Sequence, residues 1–220
     1  MIVVQNAELV RRPRGRPPVR SDDETRRVVL EAAGHEFRSK GYAATSMTDV
    51  AQRAGVSTKT MYRLIATKAD LLRGVVSARV GRFLPDFDTD TLDALPLAEA
   101  LERMLLAYGQ LTLNEEAIDI ARLVLTEGDR FPEVAAAYYE TAVVRTCEAM
   151  SAWLRRQCER GLIKLDDAPT AASMLRGMMI MEPQRAIMLG RRSIHDTDEI
   201  AARAKACARL FLDGCRVAGG

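Results

Sequence analysis

The stretch Thr45-Ser46-Met47-Thr48-Asp49-Val50-Ala51-Gln52-Arg53-Ala54-Gly55-Val56-Ser57-Thr58-Lys59-Thr60-Met61-Tyr62-Arg63 reads as two short helices about a tight turn. Thr45 or Ser46 supplies a capping hydroxyl, and Met47, Val50, Ala51 and Ala54 recur at the three- and four-residue intervals that line one side of a helix. Gly55 stops that helix. Ser57 caps the next, which continues through Met61 and Ile65. A break of only Gly55-Val56-Ser57 swings the second helix across the first, the arrangement of a helix-turn-helix whose second helix can enter a major groove.

Upstream, Ser21-Asp22-Asp23-Glu24 forms a capping box with acids at a helix start. Val29, Ala33 and Phe37 follow on one face, and Gly41 is expected to end the helix. Before it, Arg11 to Arg20 carries five arginines and three prolines. That density of proline forbids regular helix and keeps the backbone extended, so residues 1–20 read as an exposed basic arm.

From Lys68 onward every patterned segment is helical, without sustained period-two alternation or hairpin turn pairs. Breaks at Pro85 to Asp93, Asn114, Gly128 to Pro132, Gly161 to Pro169 and Gly190 to Asp198 divide it into six helices, nine in all. Pro183 is expected to kink or split its helix. The fold class is all-α: an arm at 1–20, a three-helix DNA-binding domain at 21–67, and a larger helical domain at 68–220.

Charge is distributed unevenly. Residues 1–66 hold twelve Lys and Arg against seven Asp and Glu, whereas the remainder holds twenty against twenty-three. A basic N-terminal end suits a polyanionic partner, although charge runs also serve as solvated faces. Four cysteines without a short C-x-x-C pair, and only two histidines, argue against structural zinc or histidine-based catalysis. No Gly-rich phosphate loop, H-E-x-x-H or nucleophile elbow appears, so neither enzyme nor cofactor is expected. The apolar runs are too short for a membrane span and Met1 to Val10 lacks the pattern of a signal peptide, which points to a cytoplasmic protein.

Between Arg26 and Lys68, the ordered set Arg26, Val29-Leu30, Ala33, Phe37, Gly41, Thr45-Ser46-Met47-Thr48-Asp49-Val50-Ala51, Ala54-Gly55-Val56-Ser57, Tyr62-Arg63 and Lys68 resembles the TetR family of transcriptional regulators. The resemblance implies that Thr58, Lys59, Thr60 and Arg63 face the bases. Lys59 and Arg63 can donate to guanine, and the threonines can hydrogen-bond to several bases or touch a thymine methyl. It implies further that Ser46, Thr48, Tyr62 and Lys68 meet the phosphate backbone, although Lys68 could equally be a solvated residue at a helix start. Where the family commonly has two ring side chains after Tyr62-Arg63, this chain has Leu64-Ile65, which shifts DNA affinity toward the arm and Lys68. In the arm, Pro13-Arg14-Gly15-Arg16-Pro17 resembles an AT-hook core, with Arg14 and Arg16 suited to a narrow minor groove.

The same resemblance implies a homodimer reading two half-sites on double-stranded operator DNA, and a small-molecule effector that releases a repressor. The terminal helices, about Ala168 to Gly190 and Asp198 to Val217, would pair as a four-helix bundle. Ala171, Met174, Leu175, Met178, Met179 and Met181 offer an adaptable face for that purpose or for a pocket. Met104, Tyr108, Leu123, Glu127, Phe131, Tyr138, Trp153 and Met178 are the large residues expected near a hydrophobic or amphipathic effector. Cys207 and Cys215, two turns apart, leave a redox signal as an alternative.

Overall fold

The computed structural model describes residues 20–83, 88–194 and 196–215. The arm with Arg14 and Arg16 lies outside this range. Its described elements are α1 (Asp22–Ala44), α2 (Met47–Ala54), α3 (Thr58–Leu64), α4 (Lys68–Phe83), α5 (Thr89–Asp93), α6 (Leu97–Thr112), α7 (Glu115–Glu127), α8 (Pro132–Tyr138), a π-helical segment (Tyr139–Val144), α9 (Arg145–Glu159), α10 (Ala168–Met188) and α11 (Thr197–Cys215). The chain is all-α. The π segment joins α8 and α9 into one rod, and α5 is a short helix inside a stretch read as a break. Counting that rod as one and leaving out α5, the described residues give the nine helices expected.

Local chemistry sets the ends. Ser21, Ser46 and Ser57 each accept a hydrogen bond at 3.1 Å from the backbone N–H three residues on, which satisfies a donor the first turn leaves free. Gly55 adopts left-handed φ 66°, ψ 35° and closes α2 by donating to Ala51 and Gln52. Gly41 does not end α1 outright: helical hydrogen bonding resumes to Ala44 beyond a break at φ 80°, ψ 173°.

Apolar side chains gather into two cores. One lies within the C-terminal helices, where Leu101, Met104, Leu105, Trp153, Leu175 and Ala208 are fully enclosed. The other joins Val29, Phe37, Val50, Met61, Leu71 and Leu72 to Leu111, Ile120, Leu123 and Val134 of α6 to α8. The boundary drawn at 67/68 therefore crosses a shared core, with α4 packed on α1 and also on α6, α8 and the π segment. Each enclosed leucine there contributes about 1.5–3 kcal/mol, so the two parts stabilise one another.

Of the two outcomes expected at Pro183, a kink or a split, the split does not occur. The helix runs unbroken through it from Ala168 to Met188. Proline removes the donor that the Met179 carbonyl would otherwise receive. Arg203 of α11 fills the gap, its Nε donating to that carbonyl at 2.8 Å and its second terminal nitrogen, Nη2, to the Met178 carbonyl at 2.8 Å. An arginine from the neighbouring helix thus replaces the lost ladder bond.

Candidate nucleic-acid interface and effector cavity

On α3, Thr58 and Tyr62, like Lys59 and Arg63, stand four residues apart and face outward, while Met61 is fully enclosed beneath them. Tyr62 is 53% exposed, unusual for an aromatic without a partner to cover it. Ser46 and Thr48 are exposed at the start of α2, on the same helix-turn-helix. Thr60 is half-buried, and its hydroxyl lies 2.9 Å from that of Ser57, so it belongs partly to the cap rather than wholly to the outer face. Ile65 is buried, and Leu64 is half-buried and packs against the core.

Two basic residues are engaged in ways the sequence did not disclose. Arg63 forms a two-pronged ion pair with Asp22 of α1 at 2.6 and 2.7 Å, in the open, and the guanidinium holds the Asp22 carboxyl below its ordinary range. Lys68 donates to the carbonyls of Tyr42, Thr45 and Ala43 at 2.7, 3.0 and 3.3 Å and lies 4.4 Å above the Tyr42 ring. An ammonium has three hydrogens, and three carbonyls face them. In this way Lys68 ties the end of α1 to the start of α4. Arg26 acts similarly, donating to the Leu64 carbonyl at 3.0 Å, where the dipole of α3 favours a cation.

At the kink of α1, Glu127 from the end of α7 accepts from the backbone N–H of Tyr42 at 2.6 Å and of Ala43 at 2.8 Å. A side chain at Gly41 would place its Cβ 2.7 Å from that carboxylate. Tyr42 is wedged between Phe37 and Phe131, and its hydroxyl donates to Glu133 at 3.3 Å. Burial, with nearby carboxylates, pushes its phenol up to about 12. Glu127 and Phe131, expected near an effector, instead clamp the helix-turn-helix to the larger domain.

A cavity of about 190 Å³ opens between α4, α6, the π segment and α10. Tyr108 and Tyr138 line it. Met104 and Trp153 are enclosed in the C-terminal core, Leu123 in the shared one, and Met178 borders a surface groove beside Arg203, so none of these four lines this cavity. Missing from the sequence reading were Arg79, Arg176 and Gln184, which bring polar groups to walls formed by Val76, Val80, Ile120 and Ile180. Their signal was present: Arg79 and Arg176 are lone charges inside otherwise apolar helical runs, Val75 to Val80 and Ala171 to Met181. Arg79 bonds Glu116 at 2.6 Å, the Leu111 carbonyl at 3.2 Å and the side chain of Asn114, the cap of α7. Arg176 donates to the Tyr108 hydroxyl at 3.2 Å and lies over its ring.

The methionine run of α10 divides between two surfaces. Ala171, Leu175 and Met179 are enclosed in the protein's own core, whereas Met174 and Met181 are 63% and 55% exposed and Met178 is half-buried. Leu210 of α11 is 60% exposed as well. Cys207 is buried, and desolvation pushes its thiol up, which disfavours the thiolate that oxidation needs. No described helix is long and apolar enough to cross a membrane.

Comparison with known proteins agrees with the architecture. Residues 29–75 match the profile of bacterial regulatory proteins of the tetR family, and residues 99–214 match the C-terminal domain of AefR-like transcriptional repressors. The HTH-type transcriptional repressor ComR of Escherichia coli strain K12 is 30% identical over 82 residues, which span 37% of each chain. A TetR-family regulator from Mesorhizobium loti MAFF303099, described as putative in its structure, is 27% identical with a TM-score of 0.77, over 90% of this chain and 100% of that one. The flavonoid-responsive regulator FrrA shares the fold at 24% identity and a TM-score of 0.69, covering 90% of this chain and all of its own. The profile across more than half the chain, together with the turn between α2 and α3, makes this protein a TetR-family transcriptional regulator with an AefR-like repressor C-terminal domain.

Proposed function

We propose that the protein is a cytoplasmic, homodimeric repressor that holds a palindromic operator with α3 and lets go when a hydrophobic or amphipathic small molecule fills the cavity beside α4. The outward row Thr58, Lys59, Tyr62 and Arg63 over an enclosed Met61 carries the DNA reading, because a rigid helix with polar outward residues is what a major groove admits. Ser46 and Thr48 would meet phosphates. Arg14 and Arg16 of the arm would follow the minor groove, adding salt-dependent affinity.

Coupling between cavity and DNA runs through α4, which borders the cavity with Val76, Arg79 and Val80 and carries Lys68 at its other end. A ligand that shifts α4 moves the anchor beneath α2 and α3, and with it the spacing of two recognition helices. Met174, Met181 and Leu210 supply the apolar surface on which a second copy would pack its own α10 and α11.

The test is selection from random duplex DNA by the purified protein, repeated with Arg63→Ala. A two-fold symmetric motif that loses preference at a few symmetric positions in the variant supports specific reading by α3. Recovery of A·T-rich DNA alone, indifferent to the substitution, would move the function to the arm and refute the operator reading.

A further inference from the structure

Inside the cavity two guanidinium groups and no carboxylate face walls that are otherwise apolar or carry neutral polar groups. Arg176 is half-buried and touches the hydroxyl and ring of Tyr108; no carboxylate pairs with it among the described residues. Arg79 is more deeply placed, with a side chain only 12% exposed, and it shares one half-exposed carboxylate, Glu116, with Arg38. Its Nε is buried and has no acceptor among the described residues. A charged donor left in that state carries a desolvation cost that an incoming acceptor removes.

The surroundings register the positive field. At Tyr138, burial pushes the phenol up while Arg176 and then Arg79 pull it down, so both guanidinium groups act on the same wall of the cavity. The larger groove between α1, α4 and α7, which Arg79 also borders, differs in that three carboxylates, Asp23, Glu31 and Glu116, stand among its arginines.

We infer that the effector is an organic monoanion with an apolar body, its carboxylate seated between Arg176 and Arg79 and its hydrocarbon or ring against Val76, Val80, Ile120 and Ile180. This rests on the reading of that cavity as the effector site. A single negative charge fits because Arg79 already shares Glu116 with Arg38, which leaves Arg176 as the guanidinium with no carboxylate partner among the described residues. Arginine suits a carboxylate because its fork delivers two parallel hydrogen bonds, and the half-buried setting of Arg176 lessens the competition from water for them. A volume of about 190 Å³ suits a body of a single ring or a short chain.

The experiment is calorimetric titration of the full chain, backed by thermal shift, with benzoate, cinnamate and octanoate, and with benzamide, cinnamamide and octanamide as neutral counterparts. At least one carboxylate is expected to bind saturably at millimolar concentration or below, about tenfold or more tighter than its amide. Arg176→Gln should abolish that difference and Arg176→Lys should restore part of it. Equal binding of acid and amide, or no binding by any of the three acids, overturns the inference, and this comparison needs only the unaltered protein should a variant fail to fold. Release of DNA by a neutral compound would leave the repressor reading standing and remove the anion alone. Failure to select any symmetric DNA site would strike the repressor reading while leaving the acid-against-amide result intact.

Discussion

Gly41→Ala should destabilise the protein far more than an ordinary glycine substitution. At φ 80° and ψ 173° the backbone occupies a region that residues with a side chain rarely enter, at a cost of about 1–3 kcal/mol. The added Cβ would also stand 2.7 Å from the Glu127 carboxylate, which must retreat from the Tyr42 and Ala43 N–H groups it holds at 2.6 and 2.8 Å. Weakening one such charged hydrogen bond costs about 1.5–3 kcal/mol. Together these give about 3–5 kcal/mol, a third or more of the stability of a typical domain, and a fall in melting temperature of about 10 °C. Urea unfolding followed by circular dichroism measures it. Gly55→Ala is the control, since its φ of 66° is also left-handed but open space surrounds it, so strain alone, about 1–2 kcal/mol, applies. Equal losses in the two variants would refute the argument that Glu127 clamps the joint.

Asp22→Asn should free Arg63 and remove a negative charge beside the DNA face, raising affinity for duplex DNA severalfold and steepening its salt dependence; fluorescence anisotropy across salt concentrations checks it, and an unchanged slope counts against it. Glu36, almost wholly enclosed, is held below its ordinary value of 4.5 by hydrogen bonds from Lys40 and then Arg53. A depressed carboxyl stabilises the fold above that ordinary value and ceases to as pH falls through the lowered one, so the stability gap between wild type and Glu36→Gln should be full at neutral pH and close only in acid. A gap that persists unchanged in acid would mean packing, not charge, is at stake. Met174→Glu combined with Met181→Glu should convert a dimer to monomers in sedimentation velocity while leaving the helical content intact; an unaltered sedimentation coefficient would place the dimer contact elsewhere.

The helices and the turn between α2 and α3 were legible because capping serines, Gly55 and apolar spacing act within a few residues of one another. What escaped the sequence depended on partners far along the chain. Nothing local tells that Lys68 spends its hydrogens on Tyr42, Ala43 and Thr45, or that Glu127 reaches back eighty-five residues to Tyr42. Pro183 misled because its rule considers one helix alone, whereas Arg203 belongs to another. The cavity was half read: Tyr108 and Tyr138 were found by size, while Arg79 and Arg176 were passed over because large apolar residues were sought and charge was assigned to the surface.

The π segment at Tyr139–Val144 makes the rod from Pro132 to Glu159 a splice of two registers. A wide turn of this kind is what a helix shows when it holds one residue more than its regular winding accommodates, and it persists where a site makes use of it. Here the surplus places Ala142 and Val143 in the cavity wall, while the face of α8 remains set by α4 and that of α9 by α10. Lineages of this fold could therefore gain or lose a single residue at the wide turn and reshape the chamber without re-aiming either flanking helix. That would let the chemical message change while the apparatus that reads DNA is inherited intact.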